Sequence, residues 1–498
     1  MASVVRAAAL VGVEAVPVQV EVDLLRRLPS VSIIGLVSAS VRESAERVRS
    51  ALLASGQDFP RSRVVVSLAP ADLRKDGTHY DLAIAVGILA AAERLPEAAV
   101  ADVLFWGELS LQGELRGTRG TLAAACLAKA LGVRAMVVPA CVAAEAALVE
   151  GLNVVAAQTL ADTVRYLEGG VSPRALPEPS TRADHGVDLR DVRGQESARA
   201  ALEVAAAGGH NLLLEGPPGC GKTMLAARLP TILPPLGADE VLEVTRIHSV
   251  AGLVADGRVV SRRPFRAPHH SVSAAGLVGG AQLRPGEVSL AHHGVLFLDE
   301  FPEFPRTSRE VLRGPLEDRR VMIARAGGSV CLPASFTLVA AANPCPCGNW
   351  GERRRACQCT PAAREHYRSR LSGPIVDRID LRVRLGRVEP STLLGATPGE
   401  DSATVGARVL GARGRQARRY GGRWACNAEI PAEQIVDAAQ ASSAALRALQ
   451  VVLERSGASA RVGRRLLKVA RTLADLEGVD ALEVRHVSRA VSLREEAV

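Results

Sequence analysis

Between residues 211 and 230 a strand-like run, Asn211-Leu212-Leu213-Leu214, leads into EGPPGCGKT and then into the helical MLAARLP. Gly216, Gly221, Lys222 and Thr223 stand at the spacing of a phosphate-binding loop, in the strand–loop–helix context that such a loop requires. Glycines let successive backbone N–H groups turn inward around phosphate oxygens, and the helix that follows adds the positive end of its dipole. Lys222 is expected to reach the β- and γ-phosphates, and the Thr223 hydroxyl to ligate Mg²⁺. The expected cradle is Gly216, Pro217, Pro218, Gly219, Cys220, Gly221, Lys222, Thr223 and Met224. Further on, GVLFLDE ends an apolar run in Asp299 and Glu300. Asp299 fits a Mg²⁺ ligand and Glu300 the base that orients an attacking water. The plain alternatives are a glycine-rich turn and a strand-end cap. Together, however, the two motifs point to ATP hydrolysis with Mg²⁺.

A second cluster is chemical in a different way. Cys345, Cys347, Cys357 and Cys359 form Cys-x-Cys-x9-Cys-x-Cys directly after the apolar run FTLVAAA. Four thiolates suit tetrahedral Zn²⁺, which can close a loop too small to own a core. The commoner knuckle spacing is Cys-x2-Cys, so free thiols stay open, as does a redox pair tuned by the arginines at 353 to 355. A structural zinc is expected over a catalytic one, because four cysteines leave no open coordination position. Two His-His pairs, His269-His270 and His292-His293, are left without a role. The stretch RGRQARRYGGRW sets Arg413, Arg415, Arg418, Arg419 and Arg423 among Tyr420 and Trp424. Arginines that neutralise phosphates and aromatics that stack on bases make this a candidate nucleic-acid surface; a solvated loop is the alternative.

These residues need elements to hold them. At 498 residues the chain is too long for one core. Residues 1–168 alternate strand-like segments (63–68, 135–138) with helical spacing (41–54, 121–130) and read as an α/β domain. Residues 169–188 carry three prolines and little apolar content, and read as a linker. A second α/β domain is expected over 189–395 and a helical segment over 396–498. The net charge of +8 is compatible with a polyanionic partner without demanding one. No secretory leader and no 18-residue apolar window is legible, and the scattered Cys126, Cys141, Cys220, Cys331 and Cys426 suit a reducing cytoplasm.

Several long motifs add a resemblance that covers essentially the whole chain. RPFRAPHHSVSAAGLVGG, LAHHGVLFLDEFPEF, LRGPLEDRRVMIARA, AANPCPCG and GPIVDRIDL resemble the magnesium-chelatase-like AAA+ family of the ComM/YifB type. The stretch 28–89 resembles that family's Lon-protease-like (ribosomal S5 domain 2-like) N-terminal domain, and SARVGRRLLKVARTLADL its helical lid. The resemblance implies a homo-oligomeric ring, expected as a hexamer, with ATP at the subunit interfaces. It implies that Asn343 is a γ-phosphate sensor, although a turn former would look the same. Arg378 takes the position of an arginine finger given to the neighbour, and Arg461 that of a lid sensor folding over the phosphates in cis. Val192 and Gln195 fall in the segment beside the adenine. His79 stands near the place of a Lon-type protease's serine and no convincing Ser-Lys dyad is legible, so the N-terminal domain is expected to be non-proteolytic. The implied activity is a cytoplasmic DNA translocase or helicase promoting branch migration, without a membrane partner. The alternatives are the motor subunit of a magnesium chelatase and an ATP-dependent remodelling scaffold.

Overall fold

Strings of Val, Ala and Leu near the N-terminus fold into strands because branched side chains suit a pleated surface buried on one or both faces. The computed structural model describes residues 2–170, 186–254, 258–280, 283–325, 328–352, 355–371, 375–389 and 399–494. The expected linker lies mostly outside these, and so does the expected boundary at 395/396. The first nine strands are β1 (Ser3–Val11), β2 (Glu14–Leu25), β3 (Ser30–Ile34), β4 (Arg63–Ala69), β5 (Val103–Phe105), β6 (Glu108–Leu109), β7 (Leu115–Arg116), β8 (Ala135–Pro139) and β9 (Val154–Ala157). Seven of them form a mixed sheet in the order β3-β4-β2-β1-β5-β8-β9, and β6 with β7 forms a short separate ladder. The helix Asp81–Ala91 is buried along most of its length and lies across β1 and β2. Its one acid, Asp81, is fully buried and meets Arg47 at 2.7 Å. Burial raises the Asp81 carboxyl despite that partner.

The second sheet is wholly parallel. Its strands are β10 (Leu212–Glu215), β11 (Phe265–Arg266), β12 (Val295–Leu298), β15 (Thr337–Ala342) and β16 (Leu381–Arg384); between them β13 (Arg320–Arg325) and β14 (Gly328–Pro333) form a separate hairpin. The order is β11-β12-β15-β10-β16. Both faces are covered, so the strands read as unbroken apolar runs. The register sets Glu215 beside Ala342 and Leu298 beside Ala340. The loops after β10, β12 and β15 therefore leave the same edge of the sheet, where parallel α/β sheets bind ligands.

The helices Ser402–Tyr420, Ser443–Ser456, Ala460–Glu477 and Val484–Ser492 do not form a free-standing bundle. Val409, Leu449, Leu473 and Val487 share one apolar cluster with Leu202, Leu212 and Phe297 of the sheet domain. The arginine-rich stretch helps to hold them there. Arg413 donates to the carbonyls of Ala206 (2.9 Å) and Ala425 (3.2 Å), Arg415 to that of Asp475 (3.0 Å), and Arg419 to the buried Asp475 carboxylate at 2.6 Å. The Tyr420 hydroxyl is buried on Asn427. Only Arg418 and Arg423 of the five arginines are exposed. The expected nucleic-acid surface at 413–424 is thus mostly internal bracing. The reason is helical periodicity, which turns Arg415 and Arg419 together toward Asp475.

The N-terminal unit is fastened to the sheet domain through the helix Ala238–Ala251. Ser249 hydrogen-bonds the buried Glu145 carboxylate and accepts from the Gly120 backbone N–H at 3.0 Å. Gly12, at φ 64°, turns from β1 to β2 so closely against Val330 of the hairpin that a Cβ there would collide with it. At the other end of the sheet Asp380 lies between His210 (3.4 Å) and Arg465 (3.6 Å). Burial pushes the Asp380 carboxyl upward, but the His210 hydrogen bond and the charges of Arg465 and Lys468 prevail and hold it at about 2. A depressed acid stabilises the fold above the unfolded pKa near 4, and that contribution is lost as pH falls from about 4 toward 2. Asp380→Asn should remove about 2 kcal/mol at neutral pH and flatten the acid limb of the stability profile, read by urea titration at pH 7, 4 and 3. An unchanged acid limb in the variant would assign that limb to other carboxylates.

Candidate nucleotide site

The helix Lys222–Ile232 begins directly behind the loop that leaves β10. Gly219 (φ 77°) and Gly221 (φ 95°) are left-handed where added Cβ atoms would meet nothing, so conformation and not space requires glycine there. Gly216 is different: a Cβ would approach the Leu385 carbonyl to 2.7 Å. The Gly216 N–H donates to Ala342 O at 3.1 Å, locking the loop to the end of β15. Lys222 is buried and donates to the carbonyls of Gly216 (2.6 Å) and Pro217 (3.1 Å) and to Asn343 Oδ1 (3.0 Å). All three ammonium donors are thus satisfied inside the cradle. Burial lowers the Lys222 pKa against the opposing pull of Asp299 and Glu300.

Thr223 Oγ1 donates to Asp299 Oδ2 at 2.8 Å. Two ligands at about 2.1 Å on one octahedral Mg²⁺ would sit about 3 Å apart, so this pair fits adjacent positions on the ion. Asp299 Oδ1 accepts from the Glu300 N–H at 2.9 Å, while Glu300 itself is left-handed (φ 51°). Its carboxylate lies 3.1 Å from His270 Nδ1. Nothing in the spacing of His270 announces that contact; the loop after β11 brings it in. Asn343 directly follows β15 beside Lys222, and its backbone is contacted by the Tyr367 hydroxyl, whose pKa burial raises to about 12. Tyr367 was not singled out from sequence. Gln195 Nε2 donates to Cys220 O (3.2 Å) and Gly386 O (2.7 Å), so its side chain ties the cradle to the end of β16; Val192 is buried nearby.

The four cysteines converge. The sulfurs of Cys345, Cys347 and Cys357 lie 3.4, 3.6 and 3.7 Å apart, and all four ligand atoms lie within 4.8 Å of one another. Four sulfurs at 2.3 Å from one tetrahedral Zn²⁺ would be about 3.8 Å apart, so the donor set fits the ion. Backbone N–H groups of Asn349 and Gln358 point at Cys347 and lower its thiol to about 6. The loop leans on the cradle: at Gly348 a Cβ would strike Pro218 at 2.5 Å, and Glu352 pairs with Arg387 at 3.1 Å.

The other acid–histidine cluster does not fit a metal. His292 Nδ1 accepts from the Ser335 N–H (3.0 Å), so its Nε2–H donates to Glu243 (3.1 Å) and neither nitrogen has a lone pair to offer. Burial lowers His292 to about 4, keeping it neutral. His293 reaches the same Glu243 at 2.8 Å and Glu240 at 3.3 Å. The pair ties the helix Ala238–Ala251 to the start of β12. His79 is likewise structural: it is buried, stacked 3.9 Å from Trp106 and bonded to Ala8 O, with its pKa pushed down to about 3 by burial.

Arg378 stands away from the cradle. It precedes β16, whose Leu381 pairs with Leu212 at the start of β10, whereas the cradle leaves the end of β10. Four strand residues at about 3.3 Å each separate the two ends. Its side chain is buried and pairs with Glu317. Arg461 is exposed in the first turn of Ala460–Glu477, one turn before Arg465 and so on the same helix face. Arg465 reaches Asp380 and has Arg378, Asp377 and Arg461 as its charged neighbours. Arg461 therefore lies toward the Arg378 end of the sheet. The position of the lid, which no local motif encodes, decides this.

Family models described as magnesium chelatase subunit ChlI, subunit ChlI of Mg-chelatase and the ChlI C-terminal region match residues 188–393, 20–141 and 399–494. An uncharacterized protein of Mycobacterium tuberculosis is 44% identical over 490 residues, covering 97% of both chains. YifB of Escherichia coli is 42% identical and the competence protein ComM of Haemophilus influenzae 40% identical, each covering 99% of this chain and 97% of its own. With the cradle, the Thr223–Asp299 pair and the parallel sheet that joins them, these likenesses identify the chain as an ATPase of the ComM/YifB family of magnesium-chelatase-like AAA+ proteins.

Proposed function

We propose that this ATPase is a cytoplasmic ring motor acting on DNA, with each hydrolytic site completed across the seam between protomers. The observation that carries the seam is the separation of Arg378 from its own cradle by the length of β10. Lys222 binds the β- and γ-phosphates, Thr223 and Asp299 hold Mg²⁺, Glu300 orients the attacking water and Asn343 reads the γ-phosphate. Arg378 reaches the neighbour's γ-phosphate, and Arg461, on the same side, joins it in trans. A hexamer is the expected ring. Residues 1–168 serve as a Lon-protease-like, non-proteolytic unit, 189–395 as the motor core and 396–498 as the lid. The four cysteines bind a structural Zn²⁺ that braces the cradle. All nine cysteines are unpaired, which suits a reducing compartment.

DNA as the object of the motor rests on the competence protein among the relatives, since the 413–424 arginines are mostly engaged internally. The second reading is a chelatase motor driving a metal ion into a porphyrin. It draws on the ChlI descriptions, which extend to the N-terminal unit.

Lys222→Ala should abolish turnover, while Glu300→Gln should bind ATP but turn over at least about 100-fold more slowly. Arg378→Ala and Glu300→Gln protomers, each inactive alone, should regain activity when mixed, because some seams then carry Glu300 from one subunit and Arg378 from the other. Mixing without recovery would mean the two act within one chain. Metal analysis of the purified protein should find about one zinc per chain, lost in Cys345→Ser/Cys357→Ser together with thermal stability. Turnover should rise with single-stranded or branched DNA, and the stimulation should fade steeply between 50 and 200 mM salt. Indifference to DNA, with stimulation by a porphyrin-binding partner, would favour the chelatase reading.

A further inference from the structure

The seam reading leaves a question about the isolated protomer: what holds Arg378 before a neighbour arrives? A cavity of about 350 Å³ at that end of the sheet is lined by Arg319, Arg378, Arg465 and Lys468, with Glu317, Asp380 and Glu429. Three of these cations are tied to groups that belong to the fold. Arg465 faces the buried Asp380, Lys468 donates to Ala428 O at 2.9 Å, and Arg319 pairs with the mostly buried Glu429. Arg378 faces a carboxylate of another kind: Glu317, in the short helix Arg313–Asp318, is 59% exposed at the rim. A pair with so wet a member is weak and readily exchanged, whereas the pairs behind it are not. The backbone at Arg378 cannot follow a moving side chain. Its carbonyl accepts from Asn211 Nδ2 at 3.0 Å and its N–H donates to Ile375 O at 2.8 Å. Exchange is therefore a rotation of the side chain alone.

We propose that Glu317 is a latch that parks Arg378 in the unassembled protomer, and that ring closure exchanges it for the neighbour's γ-phosphate. This rests on the reading of Arg378 as a residue given in trans. Glu317 acts only through Arg378 and touches no nucleotide, so it is a positioning residue. The latch competes with the seam by a small factor.

The test is turnover of the full chain at saturating MgATP across protomer concentrations, with wild type, Glu317→Gln, Glu317→Asp and Arg378→Ala compared. Removing a pair whose carboxylate is exposed should move the half-maximal protomer concentration of Glu317→Gln about two- to fivefold lower. Its plateau turnover should stay within twofold of wild type, and Glu317→Asp should remain near the wild-type midpoint. Arg378→Ala should lose the plateau by about 10³-fold. Sedimentation velocity in ATPγS should show the same shift for Glu317→Gln, which a merely structural role would not produce. A plateau that collapses in Glu317→Gln as it does in Arg378→Ala would make Glu317 part of the active geometry and overturn the latch. An unshifted midpoint would do the same, as would a ring that never dissociates in the assay range while Arg378→Ala is inactive. Concentration-independent turnover with Arg378→Ala fully active would instead sink the seam reading beneath it.

Discussion

Parallel pairing of β10, with β15 on one side and β16 on the other, is the constraint from which the site follows. Three segments far apart in the chain are held in one register: Leu212–Glu215, Thr337–Ala342 and Leu381–Arg384. Alternation along each strand divides its side chains between two cores. Leu212 and Leu214 enter one and Leu213 the other; Val295 and Phe297 enter the first, and Leu296 and Leu298 the second. A slip of one residue would exchange the faces of a strand and carry Asn343 or Asp299 away from Lys222. The cradle is thus positioned by apolar burial on both sides of a sheet whose polar chemistry is confined to its ends.

A second dependence runs through the helix Ala238–Ala251. Ser249 and the buried Glu145 fasten it to the N-terminal unit; His248 reaches Leu290 O at 3.0 Å, and Glu243 holds both His292 and His293. His293 is separated from β12 by one residue, and Asp299 directly follows β12. One helix is therefore common to the N-terminal unit and to the strand that presents the acidic pair. Burial raises the Glu145 carboxyl, with its hydrogen bonds to Ser249 and Leu122 N–H acting in the opposite direction. The N-terminal unit is bolted to the strand before Asp299 by hydrogen bonds between buried groups, which are costly to break one at a time.

What could be read from sequence was what is local. The cradle, the Asp299–Glu300 pair and Asn343 are strand-end features, and a strand with the loop that follows it is visible in a dozen residues. The cysteines were legible as a set, but their fit to a tetrahedral ion needed the sulfur spacing. Residues whose meaning depends on a distant partner were not legible. Arg413, Arg415 and Arg419 have the composition of a nucleic-acid surface, yet the lid helix turns them onto Ala206 and Asp475. His270 and Glu317 carried no signal, because each matters only through the residue it meets across the fold. The end of the sheet toward which Arg461 lies is set by how Ala460–Glu477 packs against Glu196–Gly208.

The charge at the two ends of the sheet gives that lid placement its sense. The Arg378 end gathers four cations against three carboxylates in one cavity, with Arg461 close by. Burial there lowers the pKa values of Arg465 and Lys468, the mark of cations held at some cost to solvation. The cradle end carries the opposite balance once loaded, because MgATP brings a net charge of about −2 to a site already holding Asp299 and Glu300. Two like ends of identical protomers repel, whereas a cradle end and an Arg378 end attract. Such a contact is heterologous and head-to-tail, and a head-to-tail contact closes into a ring when its rotation divides the circle. In the proposed ring the nucleotide would be the anion that satisfies both faces of the seam. In the proposed ring, hydrolysis and phosphate release would lower the charge that holds the faces together, so the chemical step would act directly on the contact between neighbours.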